Sequence, residues 1–474
     1  MKNISQLILV LVLSIIIVPT VFAADPAGDI TLAEDSNAPV NFTWTLMAAF
    51  LVFLMQGGFA MLEGGLVRAK NASNIMMKNL ADFTIGSLGF WAIGFPLMFG
   101  TSVAGVFGAS SWFLLGEAYD VSTYLLWIFQ MVFAGTAATI ASGAMAERTK
   151  FRTYYIVSFL ITSLIYPIYG HWVWGGGWLS TLPFGVGHVD FAGSGVVHMV
   201  GGGVGLAGAM LLGARIGKYD KNGKPRAIPG HSVPMAVLGV FLLWFGWFGF
   251  NPGSTLAATE LRISVIAVTT LLAGSAGGFI ATIYTWIKFG RPDVTMASNG
   301  VIAGLVAITA PCAWVEGWAA VVIGLIGGLI MVESVLFFER KGIDDPIGAV
   351  ACHLIAGIWG LISVGIFADG TYGLYTTEGP KVIGLLYGGG VDQLIAQAIG
   401  VVANFAWVFG TSYALLWVMK KTIGLRVSKE EELEGLDRTE HGAISYPDYI
   451  TMSDENLKLK ENDIHKNKGD DLDK

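Results

Sequence analysis

Eleven apolar segments, each long enough to cross a bilayer, leave this chain few ways to fold. They run at about 43–66, 80–102, 122–145, 153–175, 190–213, 232–252, 258–286, 296–312, 316–338, 347–368 and 391–420. A hydrocarbon layer roughly 30 Å thick holds no water to satisfy backbone amides, so runs rising ~1.5 Å per residue cross it as α-helices. The expected fold is an all-α polytopic membrane protein. With 54% of its 474 residues hydrophobic and 13% charged, the chain is too apolar for a soluble protein of this size.

Basic residues predict the orientation, because they resist translocation. Alternate loops are read as holding Arg68, Lys70 and Lys78; Arg148, Lys150 and Arg152; Arg215, Lys218, Lys221, Lys224 and Arg226; Lys288 and Arg291; and Arg340 and Lys341. The opposite loops offer Arg262 and Lys381. This puts the mature N-terminus outside and the tail from Lys420 in the cytoplasm. Residues 1–23 read as a cleaved signal peptide: Lys2, an apolar run from Leu7 to Val18 too short to span, the breaker Pro19, and Val21-Phe22-Ala23 as the cleavage site. An uncleaved extra helix is the alternative. The expected division is therefore 1–23 signal peptide, 24–421 transmembrane domain and 422–474 cytoplasmic tail.

Within the spans a motif occurs twice. Asp190, Gly193, His198, Gly202, Gly205 and Leu206 recur 155 residues later as Asp345, Gly348, His353, Gly357, Gly360 and Leu361. By the loop charges, Asp190 enters its helix from outside and Asp345 from the cytoplasm. The copies then form an inverted repeat, helices 1–5 against helices 6–10, with a peripheral helix 11. Eight helical residues would carry each histidine ~12 Å inward from its aspartate, near the bilayer midplane. Glycines four and seven residues after each histidine predict close packing of the two helices. A lone histidine on an apolar face is more often a satisfied core residue; two related by inverted symmetry point to each other and to whatever passes between them.

Asp190-Phe-Ala-Gly-Ser-Gly-Val-Val-His198, running on through Gly201-Gly202 to Gly213-Ala214-Arg215, resembles the signature of the ammonium transporters of the Amt/Mep/Rh superfamily, closer to the Amt branch. Phe129-Gln-Met-Val-Phe133-Ala134, Ala146-Glu-Arg148, Trp174-Gly-Gly-Gly177, Gly246-Trp-Phe-Gly-Phe250-Asn-Pro-Gly-Ser254, Asp344-Asp-Pro346 with His353, and Gly424-Leu-Arg-Val427 extend the likeness over most of the chain. The resemblance implies a homotrimer with one pore per subunit, in a bacterial or archaeal plasma membrane, serving nitrogen metabolism by ammonium uptake. It implies that Phe133, Trp174 and Ser254 bind ammonium at an outer recruitment site and that Phe133 and Phe250 form a gate. His198 and His353 would line the pore, and Asp190 would support the recruitment site as a cap or in proton transfer. Cys352 and Leu354, beside the second histidine, depart from the valine and glycine of many relatives.

The residue types suit that cargo. An aromatic face attracts a cation by ~0.5–2 kcal/mol, and a serine oxygen accepts an N–H that a metal ion cannot donate. Stripping a cation into a low-dielectric passage costs several kcal/mol more than this. Passage as neutral ammonia, with the proton left behind or carried separately by imidazoles, removes that cost. More commonly, tryptophans and phenylalanines in membrane helices are packing or interfacial anchors, the reading given to Trp172, Trp178, Trp244 and Trp247. Ser254 after Asn251-Pro252-Gly253 would satisfy freed backbone groups at a broken helix.

Past Lys421 the chain resembles the regulatory tail of Amt proteins, whose cytoplasmic face in many prokaryotic members binds P-II signalling proteins. Beyond Thr451 the composition predicts a solvated, disordered end, with His441 and His465 as surface residues and Thr439 as a weak candidate for phosphorylation. Cys312 and Cys352 read as inert buried thiols. No nucleotide-binding loop, nucleophile elbow or metal-ligand spacing is found, so neither an enzyme nor a cofactor is expected, and no nucleic-acid partner. An ammonium sensor, which an attached kinase or cyclase domain would favour, and a neutral-gas channel of the Rh type are the alternatives.

Overall fold

The computed structural model describes residues 24–447. The signal-peptide segment, His465 and the expected disordered end lie outside the described residues. Among those described, ten helices are long and apolar enough to cross a membrane. In chain order with one shorter helix they are α1 (Ala38–Leu66), α2 (Ala69–Phe99), α3 (Val121–Ala144), α4 (Phe151–Trp174), α5 (Ser194–Leu212), α6 (Val233–Thr255), α7 (Ile263–Phe289), α8 (Val294–Thr309), α9 (Gly317–Arg340), α10 (Val350–Phe367) and α11 (Asp392–Thr422). Two short helices in the tail follow, α12 (Lys429–Glu434) and α13 (Leu436–His441).

The expected count of eleven spans is not confirmed: among the described residues ten helices have spanning length, and α8, the eleventh apolar helix, is shorter at 16 residues. Its end is capped inside the protein: the N–H groups of Phe191 and Ala192 donate to the carbonyls of Ala310 and Thr309 at 3.1 and 3.2 Å, and Ala310 N–H donates to Ser194 Oγ at 2.7 Å. A helix end whose carbonyls find protein donors has no need to reach water.

Lys78 is also corrected. It lies in the helical part of α2 that starts at Ala72, fully buried rather than in a loop. Asn74, Lys78 and Asn79 moved the start of the apolar run read from the sequence to about residue 80, yet these three and Asp82 are buried. Asn79 donates to Glu63 and Asp82 accepts from the Tyr154 hydroxyl, whereas Lys78 Nζ makes no hydrogen bond among the described residues.

Glycine seams express the inverted repeat. α1 packs antiparallel on α6, its counterpart in the other half: a Cβ at Gly58 would lie 2.9 Å from the Leu243 amide nitrogen, and one at Gly65 2.6 Å from that of Ala236. α5 and α10 meet in the same way. A Cβ at Gly202 would lie 2.5 Å from the Leu354 nitrogen, and one at Gly357 2.6 Å from the Ser194 carbonyl oxygen. Each histidine helix therefore offers its small-residue surface to the start of the other.

The basic loops gather at one end of the bundle. Arg215 pairs with Asp344 at 2.8 Å and with Glu147 at 3.1 Å, and Arg68 pairs with Glu147 at 2.6 Å. Arg148 donates to the carbonyls of Ala146, Gly213 and Asp344. Burial alone would raise the Glu147 carboxyl, but Arg215 and Arg68 hold it down to about 2. Asp344, beside Arg215 and Arg148, is likewise held at about 2 against its burial.

The tail docks on this end. Lys70 donates to the Glu432 carbonyl at 2.9 Å, Ile216 N–H donates to Glu432 Oε1 at 2.7 Å, and Asn74 N–H donates to Asp437 Oδ1 at 2.7 Å. His441 is not simply a surface residue: its Nε2 lies 3.0 Å from Asn74 Nδ2, and its ring meets Phe151 edge-on.

Candidate functional site

Two aspartates set the geometry by folding back on the chain. Asp190 is fully buried, and its two oxygens accept the N–H groups of Gly193, Ser194, Gly195 and Val196 at 2.9, 3.0, 2.7 and 2.9 Å. The turn passes through Gly193 at φ 114°, a left-handed conformation that a side chain would strain. Asp345 repeats the device with Gly348, Ala349 and Val350 at 3.2, 3.1 and 2.7 Å. Helix therefore starts after each turn, and only the last part of the eight-residue stretch from aspartate to histidine is helical. Each histidine instead occupies the first, wide π-type turn of its helix, Ser194–Met199 and Val350–Ile355. Such single-turn bulges are common at functional sites.

These turns bring the histidines face to face. His198 Nδ1 lies 3.2 Å from His353 Nδ1, with ring centroids 5.2 Å apart and planes inclined by 23°. A bond between two Nδ1 atoms uses one proton, so neutral rings take opposite tautomers. When His198 donates, its Nε2 is a bare acceptor and His353 carries its proton on Nε2; when His353 donates, the ends exchange roles. His198 Nε2 is buried with no hydrogen-bond partner among the described residues.

An aromatic column runs from the pair toward the other end of the bundle. His198 stacks on Phe250 at 5.4 Å and on Trp247 at 5.2 Å. Phe250 stacks on Phe133 at 4.0 Å and 27°, and Phe133 meets Phe129 at 4.7 Å and Trp174 edge-on at 6.3 Å. Phe133 and Phe250 are fully buried, and their stacked rings leave no gap between them. Trp174 and Ser254 are half-buried.

Trp174 donates from Nε1 to the Asp190 carbonyl at 2.7 Å, which ties the outer aromatic to the turn that starts α5. Ser254 donates its hydroxyl to the Phe250 carbonyl at 2.8 Å, as expected at a broken helix, which leaves its oxygen able only to accept from a ligand. All the candidate residues thus join one chain of contacts, with Ser254 attached through the Phe250 backbone.

Trp247 was missed as a site residue. It is fully buried, stacked on His198, and its Nε1 donates to Thr309 Oγ1 at 2.9 Å. Its place three residues before Phe250, on the same helical face, was the available signal. Glu63 was missed as well. It is the one acidic residue in the apolar run of α1, and intramembrane carboxyls are expensive. On its side of the pair, Phe59 lies 6.4 Å from His353, and Phe59, Glu63, Asn299, Ile347 and His353 line a cavity of about 10 Å³, room for one water-sized guest.

In chemical terms, the column offers an aromatic mouth for a cation, an apolar constriction for a small neutral molecule, and a ring pair that can exchange one proton.

A profile of the Ammonium Transporter Family matches residues 43–446. The chain is 56% identical to Ammonium transporter Amt2 of Archaeoglobus fulgidus, over 94% of this chain and 96% of that protein. It is 40% identical to Ammonium transporter 1 member 3 of Solanum lycopersicum, over 86% and 93% of the two chains. Among solved structures it is similar to one described as a sensor Amt protein, with 40% identity and a TM-score of 0.79 over 86% of this chain and 100% of that one. It is also similar to Mep2 of Candida albicans, with 28% identity and a TM-score of 0.77 over 87% and 92%.

Proposed function

This chain belongs to the ammonium transporter family, and we propose that it takes up ammonium by binding it outside as the cation and passing it inward as ammonia. It is a multi-pass membrane protein and a transporter, with ammonium or ammonia as substrate. In the proposed cycle Trp174, Phe133 and Ser254 hold the cation, which loses its proton before the Phe133–Phe250 gate. Ammonia then passes the twin histidines, which accommodate it and relay the proton between their Nδ1 atoms.

The observation that carries this reading is the unbroken contact from Trp174 through Phe133, Phe250 and His198 to His353. Asp190, with both oxygens filled by backbone N–H groups, acts as a positioning cap that holds Trp174 and α5 in register; proton transfer by its carboxylate has less support. The outside-to-inside direction is supported by the basic loops at the end where the tail docks. Trimer assembly and a P-II protein at the cytoplasmic face come from the family likeness and belong to the same proposal. Lipid contact is supported by exposed apolar side chains on the spans, among them Phe241 and Val402.

Methylammonium uptake in a transporter-deficient cell tests the reading. The wild-type chain should restore uptake, and His198→Ala and His353→Ala should each lower it by on the order of 10²-fold. A correctly inserted wild-type chain without uptake would sink transport and shift the reading to ammonium sensing. Current on a supported membrane after an ammonium jump decides whether the relayed proton crosses with the cargo.

A further inference from the structure

Glu63 stands outside the column just described, on the far side of the histidine pair. It lies in α1 and is 1% exposed. Its Oε2 is committed, accepting Asn79 Nδ2 at 2.8 Å and Ser142 Oγ at 2.5 Å. Its Oε1 is buried without a hydrogen-bond partner among the described residues, in a side chain that lines the same small cavity as His353.

A buried carboxyl oxygen left unpaired is costly unless it carries a proton or meets a cation. Among the described residues none donates a hydrogen bond to this oxygen of Glu63. Lys78 on α2 is near enough to attract Glu63 electrostatically, but its Nζ faces the Tyr154 ring of α4, 5.5 Å from the centroid, and makes no hydrogen bond among the described residues. Asp82, also on α2, is occupied by the Tyr154 hydroxyl at 2.9 Å. The other groups packed around Glu63 are Ser142 on α3, Asn299 on α8, and Cys352 and His353 on α10.

We propose that Glu63 is the inner cargo site of the pore, at which ammonia arriving past His353 is protonated and released to the cytoplasm as ammonium. This rests on the transport reading above. The two bound states, acid with ammonia and carboxylate with ammonium, contain the same atoms and differ in where one proton sits. The O–H bond of Glu63 breaks as an N–H bond forms on the ammonia lone pair. Ammonium departs, and the carboxylate regains a proton from hydronium in cytoplasmic water before the next cycle. The cavity has room for one guest of this size.

The test uses the full-length protein in proteoliposomes, with internal pH varied at fixed external pH and ammonium. Glu63→Gln keeps an acceptor for Asn79 and Ser142 but cannot exchange a proton. It should lower the uptake rate by on the order of tenfold or more, leave the external KM unchanged, and flatten the dependence of rate on internal pH. Glu63→Asp, which keeps the acid, should retain that dependence even if Glu63→Gln inserts poorly.

Infrared difference spectra on adding methylammonium give a second readout, in which the wild type should lose a protonated-carboxyl band that Glu63→Gln lacks. Wild-type rate and internal-pH dependence in Glu63→Gln would overturn the proposal. So would a flat profile in well-inserted Glu63→Asp, or a carboxyl band unaffected by Glu63→Gln. Absence of uptake by the wild type would instead overturn the transport reading, whatever the infrared result.

Discussion

Ser254 gives its only proton to the Phe250 carbonyl, so anything it binds must donate to it. Replacing it with alanine should weaken methylammonium binding several-fold in KM while costing only about 0.5–1.5 kcal/mol of stability. Competition of methylammonium uptake by ammonium checks the first part and thermal unfolding the second; an unchanged KM would remove Ser254 from the recruitment site. At this scale the sequence was most legible where it repeats. The spacing around His198 and His353 exposed a pair that their contact then joins. Trp247 was hidden because membrane helices use tryptophan mostly for packing, and only its stacking on His198 separates the two uses. Lys78 was misplaced because a lysine near a span end is ordinarily a cytoplasmic marker, whereas here it is buried over the Tyr154 ring.

Helix number and order were largely readable from the apolar runs, but helix starts were not. The Asp190 and Asp345 turns lie at the starts of apolar stretches and run into them, and helix is delayed there because the carboxylates bind the first amides. The seams between helices were foreshadowed by the glycines after each histidine, and they can be tested. Gly202→Ala would place a Cβ 2.5 Å from the Leu354 nitrogen and 2.8 Å from its Cβ. Backbone cannot yield locally, so α5 and α10 must separate, and a loss of ~1–3 kcal/mol is expected together with reduced uptake. Gly57→Ala in α1, where none of the described residues lies within 4 Å of the added Cβ, serves as the matched control and should leave the unfolding temperature in detergent unchanged or slightly higher.

Across the whole molecule, both histidine helices are tied to one ionic network at the tail end. Arg426 donates to the Leu212 and Ala214 carbonyls where α5 ends and pairs with the buried Glu432 of the tail, while Arg215 grips Asp344 next to the turn that opens α10. The carboxyls of Glu147 and Asp344 are held at about 2, below ordinary values of 4.5 and 3.8. Their contribution to stability is therefore complete above pH 4.5 and is lost as pH falls toward 2, and thermal unfolding across acid pH should show it. Arg215→Met leaves two buried carboxylates without their main partner and should cost about 3–5 kcal/mol at neutral pH. A milder effect would mean that Arg68 and Arg148 suffice. None of this network was legible beforehand, since it joins loops far apart in sequence whose charges served only to set topology. The α1–α6 seam has a further consequence for synthesis. Gly58 emerges roughly 180 residues before Leu243, which at 5–20 residues per second is about 10–40 s. Through that interval α1, carrying Glu63, waits in the translocation machinery or the lipid for the helix that completes its packing, which makes this the stage at which a nascent chain is most open to quality-control proteases.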